Sequence, residues 1–113
     1  MSEPLSALDF QVLLVLVEEP LYGYAIMKAV ETQSGGRLHP EIGSLYRVLA
    51  RLMDEGLLEE APAPEDSGTH PGRPRKYYDL TAEGRTAVSE EARRLDEALS
   101  IARDLDLLPD VGS

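Results

Sequence analysis

The sequence has no cysteine and no tryptophan, a single phenylalanine, and only two histidines, His39 and His70. Without cysteine there is no disulfide framework, and two histidines alone do not build a Cys/His zinc site within one chain. No metal and no cofactor is expected. Long hydrophobic runs are also missing: Phe10 to Val17 is interrupted by Gln11 and stops at Glu18, far short of the about 20 apolar residues that cross a bilayer. No basic residue precedes that run, so it lacks the form of a signal peptide. The expectation is a cytoplasmic protein with no membrane partner. Ser/His/Asp, Cys/His, paired-carboxylate and phosphate-loop constellations are absent too, which argues against an enzyme. With 113 residues the chain suffices for one domain with a modest core.

Positive charge is scarce: 11 Lys and Arg stand against 21 Asp and Glu, a formal charge of −10. Such a balance favours solubility and opposes binding to phosphates. Its distribution is uneven, however. Residues 1–20 hold four acids and no base and 79–113 hold nine acids and four bases, whereas 67–78 (SGTHPGRPRKYY) hold three bases and no acid. With screening over about 8 Å at physiological salt, a local basic patch can meet a polyanion although distant helices are acidic.

The most informative stretch is 40–56, PEIGSLYRVLARLMDEG. Pro40 suits a first helical position and Gly56 the left-handed residue beyond a helix end. At about 100° per residue, Ile42, Leu45, Leu49, Leu52 and Met53 form one apolar stripe, while Gly43, Ser44, Arg47, Arg51 and Asp54 lie opposite. Small, hydroxylated and cationic groups near the start of an exposed helix face are what a helix entering a DNA groove requires. An ordinary solvated helix can carry two arginines as well.

In chain order, residues 5–18 predict a helix buried on most sides, capped by Ser6 and ended by Pro20. Pro20 to Gly23 reads as a turn, and Tyr24 to Val30 as a second helix that fades through Ser34, Gly35 and Gly36. The helix at 40–56 is the third, in the order of a helix-turn-helix. The period then changes: LLEEAPAP (57–64) and RKYYDL (75–80) read as two short strands, with Lys76, Tyr78 and Leu80 alternating against Arg75, Tyr77 and Asp79. The connection from Ala63 to Pro74 is too long for a tight turn and reads as a projecting wing. The fold class is therefore mainly α with a small β-hairpin: a winged helix-turn-helix over 1–80, a long helix over 81–108 and a flexible tail over 109–113.

The motifs PLYGYAI (20–26), GSLYRVLARLMDEGLLE (43–59) and GRPRKYYDLTAEGR (72–85), in this order and spacing, resemble the PadR-type transcriptional regulators over nearly the whole chain. With one helix after the wing, the chain resembles the short branch of that family. The resemblance implies a repressor that binds inverted-repeat operators in double-stranded DNA as a homodimer, with the third helix in the major groove. Carried over residue by residue, it implies that Tyr22, Ser44, Tyr46 and Arg47 meet phosphates or base edges and that Arg73, Arg75 and Lys76 serve from the wing. Arg51 joins this set from the exposed side of the third helix. Arg47, whose planar fork can grip guanine, is the strongest base-reading candidate. Tyr46 lies about 70° from the centre of the apolar stripe by the same helical period, so its ring suits packing as well as DNA contact. The two histidines read as solvated loop residues.

Residues 81–108 begin with Thr81 as a cap, and Val88, Ala92, Leu95, Leu99 and Ala102 recur at coiled-coil spacing. A second stripe holds Ala98, Ile101, Leu105 and Leu108. About 27 helical residues extend roughly 40 Å, more than a small winged domain covers, so a dimer interface is expected at Val88, Ala92, Leu95, Leu99 and Ala102. The resemblance further implies a small hydrophobic or phenolic effector at that interface. Some members hold it with a tryptophan, and here the aligned residue is Leu95, which puts an aromatic sandwich in doubt. The rival reading from another class is a winged-helix protein-interaction module that never meets DNA. Three clustered cations with no acid, as in 67–78, are a feature that such a module does not need.

Overall fold

The computed structural model describes residues 4–64 and 75–109. Helix α1 (Ala7–Val15) is followed by β1 (Leu21–Tyr22), α2 (Gly23–Gln33), α3 (Ile42–Asp54), β2 (Leu58–Ala61), β3 (Tyr77–Leu80) and α4 (Ala82–Asp104). The core lies where α1, α2 and α3 meet the sheet and the first turns of α4. Val12, Leu13 and Leu16 of the α1 segment, Ile26 and Val30 of α2, and Leu45, Leu49 and Leu52 of α3 have no solvent exposure. Each such aliphatic side chain contributes about 1.5–3 kcal/mol on burial, so these three helices carry most of the hydrophobic stabilisation.

Local chemistry sets the helix ends. Ser6 caps α1 by accepting a hydrogen bond from the Asp9 amide at 3.0 Å. The helix is shorter than the expected 5–18, because its last turn tightens into bonds from Leu16 to Leu13 and from Val17 to Leu14 before Glu18, Glu19 and Pro20. Pro40 lies outside α3: Glu41 is the extended N-cap and the helix begins at Ile42. Ile42, expected in the buried stripe, is 39% exposed, since the stripe first meets neighbouring elements at Leu45. The other end is as expected. Gly56 has φ +79°, and the Leu57 amide reaches back to the Leu52 carbonyl at 2.9 Å, which closes the helix with a left-handed residue.

The expected hairpin is part of a three-stranded antiparallel sheet in the order β1-β3-β2. Leu21 and Tyr22, expected in a turn, pair with Tyr78 and Tyr77. On the other side of β3, Leu58 pairs with Leu80 and Ala61 with Tyr77. Tyr77 and Tyr78 are both buried instead of alternating in and out, Tyr78 in the core and Tyr77 against the Tyr22 ring. Most of the expected wing, residues 65–74 with His70 and Arg73, lies outside the described residues.

Thr81 caps α4, accepting from the Gly84 amide at 3.0 Å while its hydroxyl donates to the Gly56 carbonyl at 2.6 Å. The helix start is thereby fastened to the end of α3. Val88 is buried in the core, while Leu95, Leu99 and Ile101 are exposed. The helix ends at Asp104, short of the expected 108, because Asp106 takes the left-handed conformation at φ 61°, which Asp tolerates better than most residues. Among the described residues, no helix is long and apolar enough to cross a membrane.

The α3–α4 junction generates a prediction. A Cβ on Gly84 would overlap the Leu57 carbonyl oxygen, which is backbone, whereas a Cβ on Gly43 meets nothing within 4 Å. Alanine favours helix over glycine by about 1 kcal/mol, but overpacking costs about 1–3 kcal/mol. Gly84→Ala therefore lowers the urea midpoint, while Gly43→Ala leaves it unchanged or raises it. A Gly84→Ala protein as stable as wild type would show that the junction yields without cost.

Candidate nucleic-acid interface

Burial of Leu45, Leu49 and Leu52 turns the opposite side of α3 outward. Gly43, Tyr46 and Arg47 are exposed and Ser44 is half-exposed. The Arg47 guanidinium donates to the Ser44 hydroxyl at 3.1 Å, a one-turn contact that holds the fork alongside the helix. Empty space around Gly43 leaves the start of this face open to a close-approaching backbone.

Tyr46 is 48% exposed, and its inner edge is seated. A Cβ on Gly23 would fall 2.7 Å from the Tyr46 ring and hydroxyl, so only glycine at the start of α2 lets the ring lie there. Tyr78 feels the same phenol from the sheet side. Its hydroxyl is held above the ordinary tyrosine range by burial first, then by Tyr46 and Glu60. Tyr46 thus joins α3 to α2 and keeps an exposed flank.

The base of the wing is built around Tyr22. Its ring meets Tyr77 edge-on with centroids 5.6 Å apart, as expected for residues directly opposite in the ladder, and the Arg75 guanidinium carbon stands 4.2 Å from its centroid. Lys76 lies over Tyr78 at 5.5 Å and 3.9 Å from Glu60, so β2 offsets part of its charge. Arg47 and Arg75 have no carboxylate partner among the described residues. Both are exposed on the side of the molecule where Tyr22 and Tyr46 lie.

Arg51 is not brought to this cluster. Its guanidinium turns to α1 and donates to the Asp9 carboxylate at 2.6 Å, with Glu55 at 3.3 Å. The Asp9 hydrogen bond is the largest influence on Arg51 and, against the opposing effect of burial, raises its pKa further above an already high value. Asp9 is buried, so Arg51 acts as a tie between α1 and α3. Nothing within 40–56 signals this, because the partner lies 42 residues away.

The residues expected at a dimer interface also divide. Val88 is buried in its own chain's core, which removes it from any outer surface. Ala92, Leu95 and Leu99 are exposed, and Ala102 is half-buried. Two further features escape the sequence reading. Tyr24 on α2 is 51% exposed with Lys28 5.6 Å from its ring centroid, an i, i+4 pair that the sequence does contain. Glu91 is buried beside the exposed Arg94, one turn away, and accepts from the Leu5 amide at 3.4 Å.

Comparison with known proteins agrees with this architecture. A 37.1 kDa uncharacterized protein in transposon TN4556 of Streptomyces fradiae is 43% identical over 84 residues, covering 74% of this chain and 21% of that protein. The chain thus spans about a fifth of that relative's length. Among solved structures, a PadR-like transcription factor from Bacteroides fragilis superposes with a TM-score of 0.67 at 28% identity, covering 87% of this chain and 88% of the other. A PadR-like transcriptional regulator from Bacillus cereus gives 0.72 at 22% identity, covering 90% and 93%. The Bacillus subtilis PadR in complex with operator DNA gives 0.60 at 23% identity, covering 77% and 47%. The profile of the transcriptional regulator PadR-like family matches residues 12–90, from the middle of α1 into α4, and the chain belongs to that family of transcriptional regulators.

Proposed function

We propose that this chain is a repressor that binds an inverted-repeat operator in double-stranded DNA as a homodimer, with α3 in the major groove and the base of the wing beside it. The observation that carries the reading is that Arg47 and Arg75 are exposed without carboxylate partners among the described residues, in a chain of net charge −10. They are joined by adjacent contacts, since Tyr46 rests on Gly23 and the neighbouring Tyr22 carries Arg75. The operator complex of the Bacillus subtilis neighbour supports DNA as the partner. Ser44 and Tyr46 flank Arg47 at the same surface, and Lys76 adds a cation partly offset by Glu60.

Dimerisation is assigned to α4. Its 23 residues extend about 35 Å, and its distal half exposes Leu95 and Leu99 at 41% and 43%, a stripe with no cover in one chain. A two-fold axis there presents two recognition helices to half-sites about 34–36 Å apart. The same apolar seam suits a small hydrophobic or phenolic effector that loosens the dimer and releases DNA. With Leu95 in place of an aromatic, it binds such a ligand by apolar contact without ring stacking.

Selection of bound sequences from random duplexes tests the function directly: a single two-fold-symmetric site should be enriched. On that site Arg47→Ala costs about 1–3 kcal/mol and changes binding to random DNA far less. Equal losses on both would reassign Arg47 to the phosphates. Arg51→Gln behaves in the opposite way. It leaves Asp9 buried without its partner and lowers unfolding free energy by about 1–3 kcal/mol, yet changes neither affinity nor the salt dependence once the protein is folded.

Leu99→Asp tests the dimer. Because Leu99 is surface-exposed in a single chain, the substitution changes intrinsic stability by only about 0.5 kcal/mol, and circular dichroism should show a normal helix content. Sedimentation should then show a monomer. Its affinity for the full operator falls by about 10²- to 10⁴-fold through loss of avidity. A dimeric Leu99→Asp protein, or a monomer that binds as tightly as wild type, refutes the assignment of α4.

A further inference from the structure

We propose that Tyr22 is a positioning residue for DNA binding: its ring fixes the Arg75 guanidinium at the base of the wing, and its hydroxyl is not itself the contact. This rests on the DNA-binding reading above and assigns Tyr22 a role different from a direct phosphate contact.

Sheet register supplies the geometry. Tyr22 stands directly opposite Tyr77 across the β1–β3 ladder. Side chains in extended chain repeat every two residues, so Arg75, two positions before Tyr77, belongs to the same face as Tyr77. Tyr22 and Arg75 are then diagonal neighbours, a relation within reach of long and aromatic side chains. The guanidinium carbon lies 4.2 Å from the ring centroid, well inside the about 6 Å limit for attraction of a cation to an aromatic face. Tyr77 meets the Tyr22 ring at 66° and fixes its tilt. The planar guanidinium stacks on such a surface while its N–H groups at the rim stay free for oxygen acceptors.

Tyr22 is also the N-cap of α2, and its side chain makes no cap hydrogen bond there. The next residue, Gly23, provides the seat for Tyr46 of the recognition helix. One dipeptide, Tyr22-Gly23, therefore holds both elements: the glycine locates α3, and the tyrosine locates the wing's cation relative to it. The strand β1 is only two residues long, yet without its pairing Tyr22 would not stand beside Arg75. An exposed arginine outside a strand otherwise samples many rotamers, and holding it in place lowers the entropy lost when a phosphate is gripped.

The experiment compares Tyr22→Phe, Tyr22→Leu, Arg75→Gln and the Tyr22→Leu/Arg75→Gln double variant in full-length protein, titrated with the selected operator over a range of salt. Tyr22→Phe keeps the ring and is expected to match wild type in affinity and salt slope. Tyr22→Leu is expected to bind about two- to fivefold more weakly, the range of an exposed cation–aromatic contact. Arg75→Gln should lose at least as much and reduce the salt slope by about 1, and the double variant should lose no more than Arg75→Gln. A second readout needs no DNA. Ring-current shifts should move the Arg75 δ-protons upfield in the NMR spectra of wild type and Tyr22→Phe, but not in that of Tyr22→Leu.

A Tyr22→Phe protein as weak as Tyr22→Leu would make the hydroxyl the contact and overturn the proposal. Additive losses in the double variant, or unshifted Arg75 protons in wild type, would overturn it too. Should Tyr22→Leu fail to fold, Tyr22→Phe and the wild-type spectrum still decide. A wild-type protein that enriches no duplex would refute the DNA-binding reading itself, whereas a wild type that binds no better than folded Tyr22→Leu refutes only the positioning role.

Discussion

The complete burial of Leu45, Leu49 and Leu52 is the constraint on which the rest of the structure depends. Three leucines spaced four and three residues apart leave a helix one way to face, and with them inside, Gly43, Tyr46 and Arg47 must be outside. No polar interaction on the exposed side is strong enough to alter that choice. A single exposed hydrogen bond such as that from Arg47 to Ser44 replaces bonds to water and contributes little net, against about 1.5–3 kcal/mol for each of three buried leucines. Orientation of the exposed face of α3 is therefore a by-product of core packing.

Arg47 and Arg51 show how tertiary context separates two residues of one type. They stand four apart on the same helix, on nearly the same side. Arg47 lies near the start of α3, beyond the reach of α1, and meets only Ser44 of its own turn. Arg51 lies one turn further, where the start of α1 brings Asp9 within 2.6 Å. A buried carboxylate without a partner is costly, so Arg51 is committed to the interior contact. The result is a helix whose first half is open to solvent and whose second half is tied to the scaffold.

The acidity of the chain and its membership in a family of transcriptional regulators are reconciled by location. Acidic residues are spread along the chain: residues 1–20 hold four acids and no base, and α4, which leaves the core after its first turns, holds six acids and four bases. Arg47 on α3 and Arg75 before β3 have no carboxylate partner among the described residues. Charges separated by more than about 8 Å are largely screened at physiological salt, so these distributed acids weaken long-range attraction to phosphates more than they affect cations in contact with them.

The sequence by itself determined the helix order, the left-handed stop at Gly56, the caps at Ser6 and Thr81, the buried leucines of α3 and the family, because each follows from local backbone chemistry, from a period of 3.6 or from contiguous motifs. What it could not convey depends on partners distant along the chain. The strand at Leu21–Tyr22 is too short to carry a period, and it exists because β3 offers its free edge. Exposure of Ile42 and burial of Val88 follow from where neighbouring elements begin and end. The commitment of Arg51 to Asp9, the seat of Tyr46 on Gly23, the need for glycine at 84 against the Leu57 carbonyl, and the stack of Arg75 on Tyr22 all arise from approaches between segments 20 or more residues apart. Only tertiary structure decides these, since a side chain's role there depends on which backbone or charge comes within a few ångströms of it, and spacing along the sequence does not encode that.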